Sequence, residues 1–192
     1  MSVSTVFVDR DGVLNRKPPP HRYLGSASSL VLLPGAAEAV AALNAAGIRV
    51  YVVSNQRGIA LGRLTPAVLT EIHAALADKL SMAGAHLDGI YVCPHQNGTC
   101  DCRKPAPGLL LQARRDHPDI DFSRSVLVGD SATDIQAGQA VGCRTVLIGR
   151  GQRRAGELER LAQHPPTWTA ASLLDATRKY LVPEARRRTS MT

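Results

Sequence analysis

Aromatic side chains are scarce in this chain, 4% of 192 residues with a single Trp. The core must therefore be built from Val, Leu, Ile and Ala. Long apolar runs are also missing. None approaches the roughly 18 residues that a membrane-spanning helix needs. The N-terminus shows no basic segment followed by an apolar stretch, the pattern of a secretory signal. A soluble, cytoplasmic protein is expected, with no membrane partner. Acidic residues are outnumbered, 16 against 23 Lys and Arg, giving a net charge of +7. That balance favours anionic partners, either nucleic acid or phosphorylated small molecules. Part of the excess lies in Arg186-Arg187-Arg188, a run after Pro183 that belongs with a solvated tail rather than a nucleic-acid footprint. The length suits one domain, expected over residues 1–182, with 183–192 as a disordered tail.

Short apolar runs alternate with helical patterns. Strands are expected at 3–8, 48–53, 90–92, 125–128 and 145–148. Helices are expected at 36–46, 66–83, 107–116 and 131–141, with Gly47, Gly84 and Gly142 as left-handed C-terminal caps. A charged surface helix is expected at 152–163, and 167–179 adds a last strand and helix. Strands alternating with helices imply an α/β, Rossmann-like three-layer fold around a central parallel sheet. The connections after the first two strands are brief, leaving no room for a large cap domain. Ligands of such sheets bind at the carboxyl ends of the strands.

The first four strands each run into polar residues. Thr5-Val-Phe-Val-Asp9-Arg-Asp11-Gly12 carries an apolar strand into two carboxylates. Buried carboxylates are costly unless a cation neutralises them, and Mg²⁺ favours such oxygen ligands. An Asp can also attack phosphorus and form an aspartyl-phosphate. Alone, the segment reads equally well as a strand followed by an Asp-Gly turn. The other strand ends shift that balance. The second ends in Ser54, Asn55 and Gln56, donors suited to phosphoryl oxygens. The fourth ends in Gly129-Asp130, with Asp134 on the helix after it. Asp130 is expected to complete a Mg²⁺ cage with Asp9 and Asp11, and Asp134 to support it or act as an alternative ligand. The third strand leads into Cys93-x-His95-x4-Cys100-x-Cys102, then Arg103-Lys104-Pro105. Three thiolates and an imidazole at this spacing match a closed, structural Zn²⁺ site, with a cytosolic disulfide as the competing reading. Such a zinc loop would pin Arg103 and Lys104 in place. Lys104 could then pair with Asp9 and a phosphate. Cys143 stands apart and is expected to be buried.

Taken together, Asp9-Arg-Asp11-Gly, Ser54-Asn55, Lys104 and Gly129-Asp130 with Asp134 resemble the four motifs of the haloacid dehalogenase superfamily of phosphatases, over most of the chain up to about Leu181. The Cys/His segment running into Arg103-Lys104-Pro105 is similar to the group that holds heptose bisphosphate and histidinol-phosphate phosphatases. The segment Ser54-Asn55-Gln56-x-Gly58-Ile59-Ala60-x-Gly62 resembles the heptose enzymes. The resemblance implies Asp9 as nucleophile and Asp11 as general acid, then base. It implies Ser54 and Lys104 around the phosphoryl group, with Arg103, Asn55, Gln56 and Arg57 toward the substrate. It further implies Mg²⁺ on Asp9, the Asp11 backbone carbonyl and Asp130. Two features depart from the heptose pattern: Arg57 replaces a small Ser, and the segment from Arg16 to Tyr23 is rich in proline.

Charge bears on the substrate. Loops 15–25 and 56–66 contain no Asp or Glu but carry Arg16, Lys17, His21, Arg22, Arg57 and Arg63. A substrate with a second phosphate fits them better than the cationic amine of histidinol phosphate. The expectation is Mg²⁺-dependent removal of the C7 phosphate from a heptose 1,7-bisphosphate, by a monomer. The rivals are a histidinol-phosphate phosphatase, a polynucleotide 3′-phosphatase, and a zinc-stabilised binding module without catalysis.

Overall fold

The computed structural model describes residues 2–19, 22–149 and 155–186. Six strands form one sheet: β1 (Thr5–Val8), β2 (Arg49–Asn55), β3 (Gly89–Cys93), β4 (Ser125–Gly129), β5 (Arg144–Ile148) and β6 (Trp168–Ala170). All are parallel, in the order β3-β2-β1-β4-β5-β6. The chain moves outward from β1 to β3, then returns to the other side of β1 with β4. The strand order therefore reverses between β1 and β4, where an open α/β sheet leaves a crevice at its carboxyl edge.

Helices cover both faces. Val6 and Val8 point into a core with α1 (Ala36–Ala45) and α2 (Pro66–Ser81), whereas Phe7 points into one with α3 (Gly108–Asp116). This alternation comes from the two-residue repeat of a strand. On α2, Leu69, Ile72, Leu76 and Leu80 recur at helical spacing and are all buried. Burying each stabilises the fold by roughly 1.5–3 kcal/mol. Thr65 caps this helix by accepting from the Val68 N–H, and Pro66 occupies its first turn, where a missing N–H costs nothing. With α4 (Ala132–Gln139) beside β4, the three layers expected from sequence are all present, and no large cap covers the crevice among the described residues.

Strand and helix boundaries fall within a few residues of those expected. Gly47, Gly84 and Gly142 have φ of 70°, 69° and 80°, and Cys143 is buried. The described part of the charged helix is α5 (Ala155–Gln163); residues 152–154 lie outside the described residues. The C-terminus differs from expectation. After α6 (Leu173–Ala176) comes a π turn over Thr177–Leu181, then α7 (Val182–Arg186). The tail expected from 183 thus begins with helix, and Glu184 forms an ion pair with Arg144 at 3.0 Å. The widened turn ends two residues before Pro183, whose ring and missing N–H would disturb a regular helical ladder. Arg187, Arg188 and the rest of that tail lie outside the described residues, as does His21.

Candidate active site

The strand ends supply the site. Beyond Val8, the Asp9 N–H donates to the Val128 carbonyl at 3.0 Å, extending the β1–β4 ladder by one bond. The chain then turns back on itself: the N–H groups of Leu14 and Asn15 both donate to the Arg10 carbonyl. Gly12 enables the turn with a φ of 99°. A side chain there would collide with the Asp130 carboxylate, so the β1 loop and the end of β4 pack without space for one.

Asp9 is 9% exposed. Its burial, with Asp134, Asp130 and Asp11 nearby, pushes its carboxyl up to about 7 against the opposing pull of Lys104. The Lys104 ammonium lies 2.9 Å from Asp9 Oδ1 and 2.6 Å from Asp134 Oδ1, and donates to the Val53 carbonyl at 2.6 Å. Burial alone would favour a neutral amine, but Asp134 and Asp9 hold Lys104 charged above the usual lysine range. Asp134 also braces α4, accepting from the Ser131 N–H and hydroxyl. Its packing against Gly129 leaves no space for a side chain at that glycine.

Carboxylate oxygens of Asp9, Asp130 and Asp134 lie within 4.8 Å of one another. This donor set fits a hard divalent cation. Burial raises the Asp130 carboxyl above its usual range, against the pull of Lys17. The Lys17 ammonium contacts Asp130 Oδ2 at 2.7 Å, a positive charge at the place where the carboxylates converge.

Asp11 faces a different set of partners. Burial opposes its ionisation, but the Arg10 guanidinium and hydrogen bonds from Arg10, Asn15 and Gln56 outweigh it, so the carboxyl lies below its usual range. Arg10 Nη2 reaches both carboxylate oxygens, at 3.0 and 2.9 Å. The Gln56 amide donates to Asp11 Oδ2 at 3.0 Å and to Ser54 Oγ at 2.8 Å. Asn55 donates to the Lys104 carbonyl and accepts from the Lys104 N–H. Asn55 and Gln56, expected toward the substrate, thus spend their amides on holding Lys104, Asp11 and Ser54.

The fourth group is the loop after β3. Cys93 Sγ lies 3.5 Å from Cys100 Sγ and 3.7 Å from His95 Nδ1. Cys102 Sγ lies 3.3 Å from Cys100 Sγ and 3.2 Å from His95 Nδ1. All four cysteines of the chain are free. Four donors facing a common centre are what a tetrahedral ion requires, whereas a disulfide would pair only two. The loop continues directly into Arg103 and Lys104.

Asp9, Asp11, Ser54, Lys104, Asp130 and Asp134 line a cavity of about 400 Å³ together with Lys17, Arg22, Arg57 and Arg103, whereas the Cys/His cluster stands outside it. Arg103 Nη1 is buried with no hydrogen-bond partner among the described residues. Sequence reasoning missed the roles of Arg10, Asn15 and His73. A charged residue between two aspartates at a buried strand end was the available signal for Arg10; His73, on α2, gave none.

A family model described as HAD-hyrolase-like matches residues 101–176. The D-glycero-β-D-manno-heptose-1,7-bisphosphate 7-phosphatase of Pseudomonas aeruginosa is 40% identical over 160 residues, covering 82% of this chain and 88% of that protein. The corresponding α-heptose enzyme of Mycobacterium bovis is 39% identical over 150 residues, covering 75% and 78%. The crystal structure of D,D-heptose 1,7-bisphosphate phosphatase from B. bronchiseptica, complexed with magnesium and phosphate, superposes with a TM-score of 0.81 at 32% identity. It covers 93% of this chain and 98% of that one. With the motifs at four strand ends, the parallel sheet and this similarity along most of its length, the chain belongs to the heptose bisphosphate phosphatase family of the haloacid dehalogenase superfamily.

Proposed function

We propose that the protein removes the C7 phosphate of a D-glycero-D-manno-heptose 1,7-bisphosphate through an aspartyl-phosphate on Asp9. The observation that carries this reading is the Lys104 ammonium, held by Asp9, Asp134 and Val53 at the strand-order reversal. It brings a fixed positive charge to a buried carboxylate, as an attack on a phosphate dianion requires. A carboxylate oxygen of Asp9 attacks phosphorus, and the bond to the sugar C7 oxygen breaks. Asp11 delivers a proton to that departing oxygen. It then takes a proton from water, which attacks the acyl phosphate, releases inorganic phosphate and restores Asp9. Its surroundings favour the carboxylate, the form that activates water. The incoming phosphate brings negative charge beside it, which favours the protonated form needed first. Lys104 and Ser54 stabilise the equatorial oxygens throughout. Mg²⁺ held by Asp9, the Asp11 backbone carbonyl and Asp130, with Asp134 as support, would add positive charge at the same oxygens.

Zn²⁺ on Cys93, His95, Cys100 and Cys102 would have a purely structural role, closing the loop that presents Arg103 and Lys104. Lys17, Arg22, Arg57 and Arg103 line the cavity, a cation-rich wall suited to a second phosphate. The unpartnered Arg103 nitrogen supports the same conclusion. All these side chains come from one chain, so the reading needs no second copy; a cytoplasmic monomer is the form proposed. No helix among the described residues is long and apolar enough to cross a membrane.

A phosphate-release screen with Mg²⁺ tests the assignment. It compares both anomers of heptose 1,7-bisphosphate, fructose 1,6-bisphosphate, histidinol phosphate and a 3′-phosphorylated oligonucleotide. The highest kcat/KM is expected for a heptose bisphosphate. Preference for histidinol phosphate or the oligonucleotide would overturn the substrate assignment, and no release from any would overturn the reaction.

A further inference from the structure

Arg10 is a charged residue with 1% of its surface exposed. It takes no part in the chemistry described above. Burying a guanidinium is costly unless its N–H groups are paired. Here the pairing is directed at one neighbour. Arg10 Nε lies 3.3 Å from Asp11 Oδ1, and Nη2 lies 3.0 and 2.9 Å from the two carboxylate oxygens. The remaining arm, Nη1, lies 3.4 Å from His73 Nε2. Burial, with Arg10 beside it, lowers the His73 ring to about 4, so the ring is neutral at physiological pH. A guanidinium can only donate. His73 Nε2 therefore accepts, and its proton sits on Nδ1. Asn15 and Gln56 complete the set of donors to Asp11, at 2.9 and 3.0 Å. The Asp11 side chain is still 19% exposed and lines the cavity.

We infer that Arg10, braced by His73 from α2, is a positioning residue that fixes the orientation of the Asp11 carboxylate toward the departing oxygen of the substrate. The inference rests on the acid and base role proposed for Asp11. The planar fork of Arg10 matters as well as its charge, because it contacts both oxygens and so sets the rotation of the carboxylate plane. A lysine would keep the charge and lose the plane. His73 sets the fork in turn: without an acceptor for Nη1, the guanidinium would be free to turn toward another partner. A helix that otherwise only covers the sheet is thereby connected to the proton transfer step.

A purely structural ion pair and a positioning device differ in one measurable respect. A sugar alkoxide leaves poorly without a proton, whereas p-nitrophenolate leaves readily without one. Values of kcat/KM report the steps up to aspartyl-phosphate formation. They are compared for the heptose bisphosphate and p-nitrophenyl phosphate in Arg10→Lys, His73→Leu and Asp11→Asn, all with Mg²⁺. General acid catalysis contributes about 10²–10⁴-fold. Asp11→Asn should lose about that much on the sugar phosphate and far less on p-nitrophenyl phosphate. Arg10→Lys should show the same selectivity at about 10²-fold, and His73→Leu at roughly tenfold. If Asp11→Asn depresses both substrates alike, the acid role fails, and this inference with it. If Asp11→Asn is selective but the other two depress both substrates equally, the inference alone fails. Should Arg10→Lys not fold, His73→Leu decides by the same ratio, since its site on α2 is only half-buried.

Discussion

The two clusters able to hold a metal are built from opposite materials. The Asp9, Asp130 and Asp134 cluster joins three oxygen donors from the ends of two strands and the first turn of a helix, with Lys104 already among them. The Cys93, His95, Cys100 and Cys102 cluster comes from one short stretch of chain, the last residue of β3 and the loop that follows it. The first lines a cavity and, in the proposed reading, admits a substrate phosphate and a hard cation. The second has four donors for four tetrahedral positions and leaves nothing open for chemistry. In the proposed reading, reaction and support are thus separated in the molecule and joined through Arg103 and Lys104, which follow the second cluster in the chain and line the cavity of the first. Breaking either cluster should stop turnover, but in different ways.

The largest effect should come from Asp9→Asn. With no attacking oxygen anion, turnover should fall on the order of 10⁴-fold or more. The fold should remain, because the amide relieves a carboxylate that burial already opposes. A thermal melt paired with phosphate release checks this. Activity within tenfold of the parent would remove Asp9 as nucleophile.

Cys102→Ser should come next and act through stability. Structural zinc contributes on the order of 10 kcal/mol to small zinc domains, and loss of one thiolate should forfeit a part of it. A loss of about 3 kcal/mol would lower Tm by roughly 6–12 °C. Activity should fall with the altered position of Lys104, and added Mg²⁺ should not restore it. By contrast, the parent stripped of Mg²⁺ should recover fully when Mg²⁺ returns. Metal analysis should find one zinc per parent chain, and a zinc-free parent with unchanged Tm would dissolve the distinction between the clusters.

The pH response separates the clusters further. The Asp9 carboxyl is raised to about 7 in the folded protein, from an ordinary 3.8. Between these values the folded state holds a proton that the unfolded state has lost, so stability falls as pH rises through that window. Mg²⁺ must displace this proton to bind the carboxylate. Its stabilising effect on Tm should therefore be larger at pH 8 than at pH 5.5. Equal shifts at both pH values would argue that Asp9 is not a ligand.

Much of this was legible in the sequence because strand ends are legible. An apolar run that stops at Asp9, Ser54, Cys93 or Asp130 declares both a strand and the edge where it ends, and a parallel sheet puts those edges together. Side-chain partners across the fold were not legible. Asn55 and Gln56 sit where a substrate contact would be expected, yet their amides are occupied by Lys104 and by Asp11 with Ser54. Arg10 meets His73, 63 residues away on α2, and no local pattern encodes that approach. The stretch from 183 reads as a tail, yet helix follows the π turn as far as Arg186.

The smallest effect should be at Lys17. Its ammonium contacts Asp130 at 2.7 Å, yet the side chain is 57% exposed. An exposed ion pair of this kind is worth about 0–1 kcal/mol, which converts to at most about a fivefold change in an equilibrium constant. Lys17 must release Asp130 when a divalent cation takes that carboxylate, so Lys17→Ala should tighten Mg²⁺ binding by about two- to fivefold in calorimetry without substrate. The substrate should respond oppositely, with KM rising as the cation-rich wall loses a charge. Cysteine-cluster variants should not tighten Mg²⁺ binding, since they remove no cation that competes for Asp130. Weaker Mg²⁺ binding in Lys17→Ala would mean that the lysine assists the cation site rather than competing for it, and the carboxylate cluster would then be as self-contained as the thiolate one.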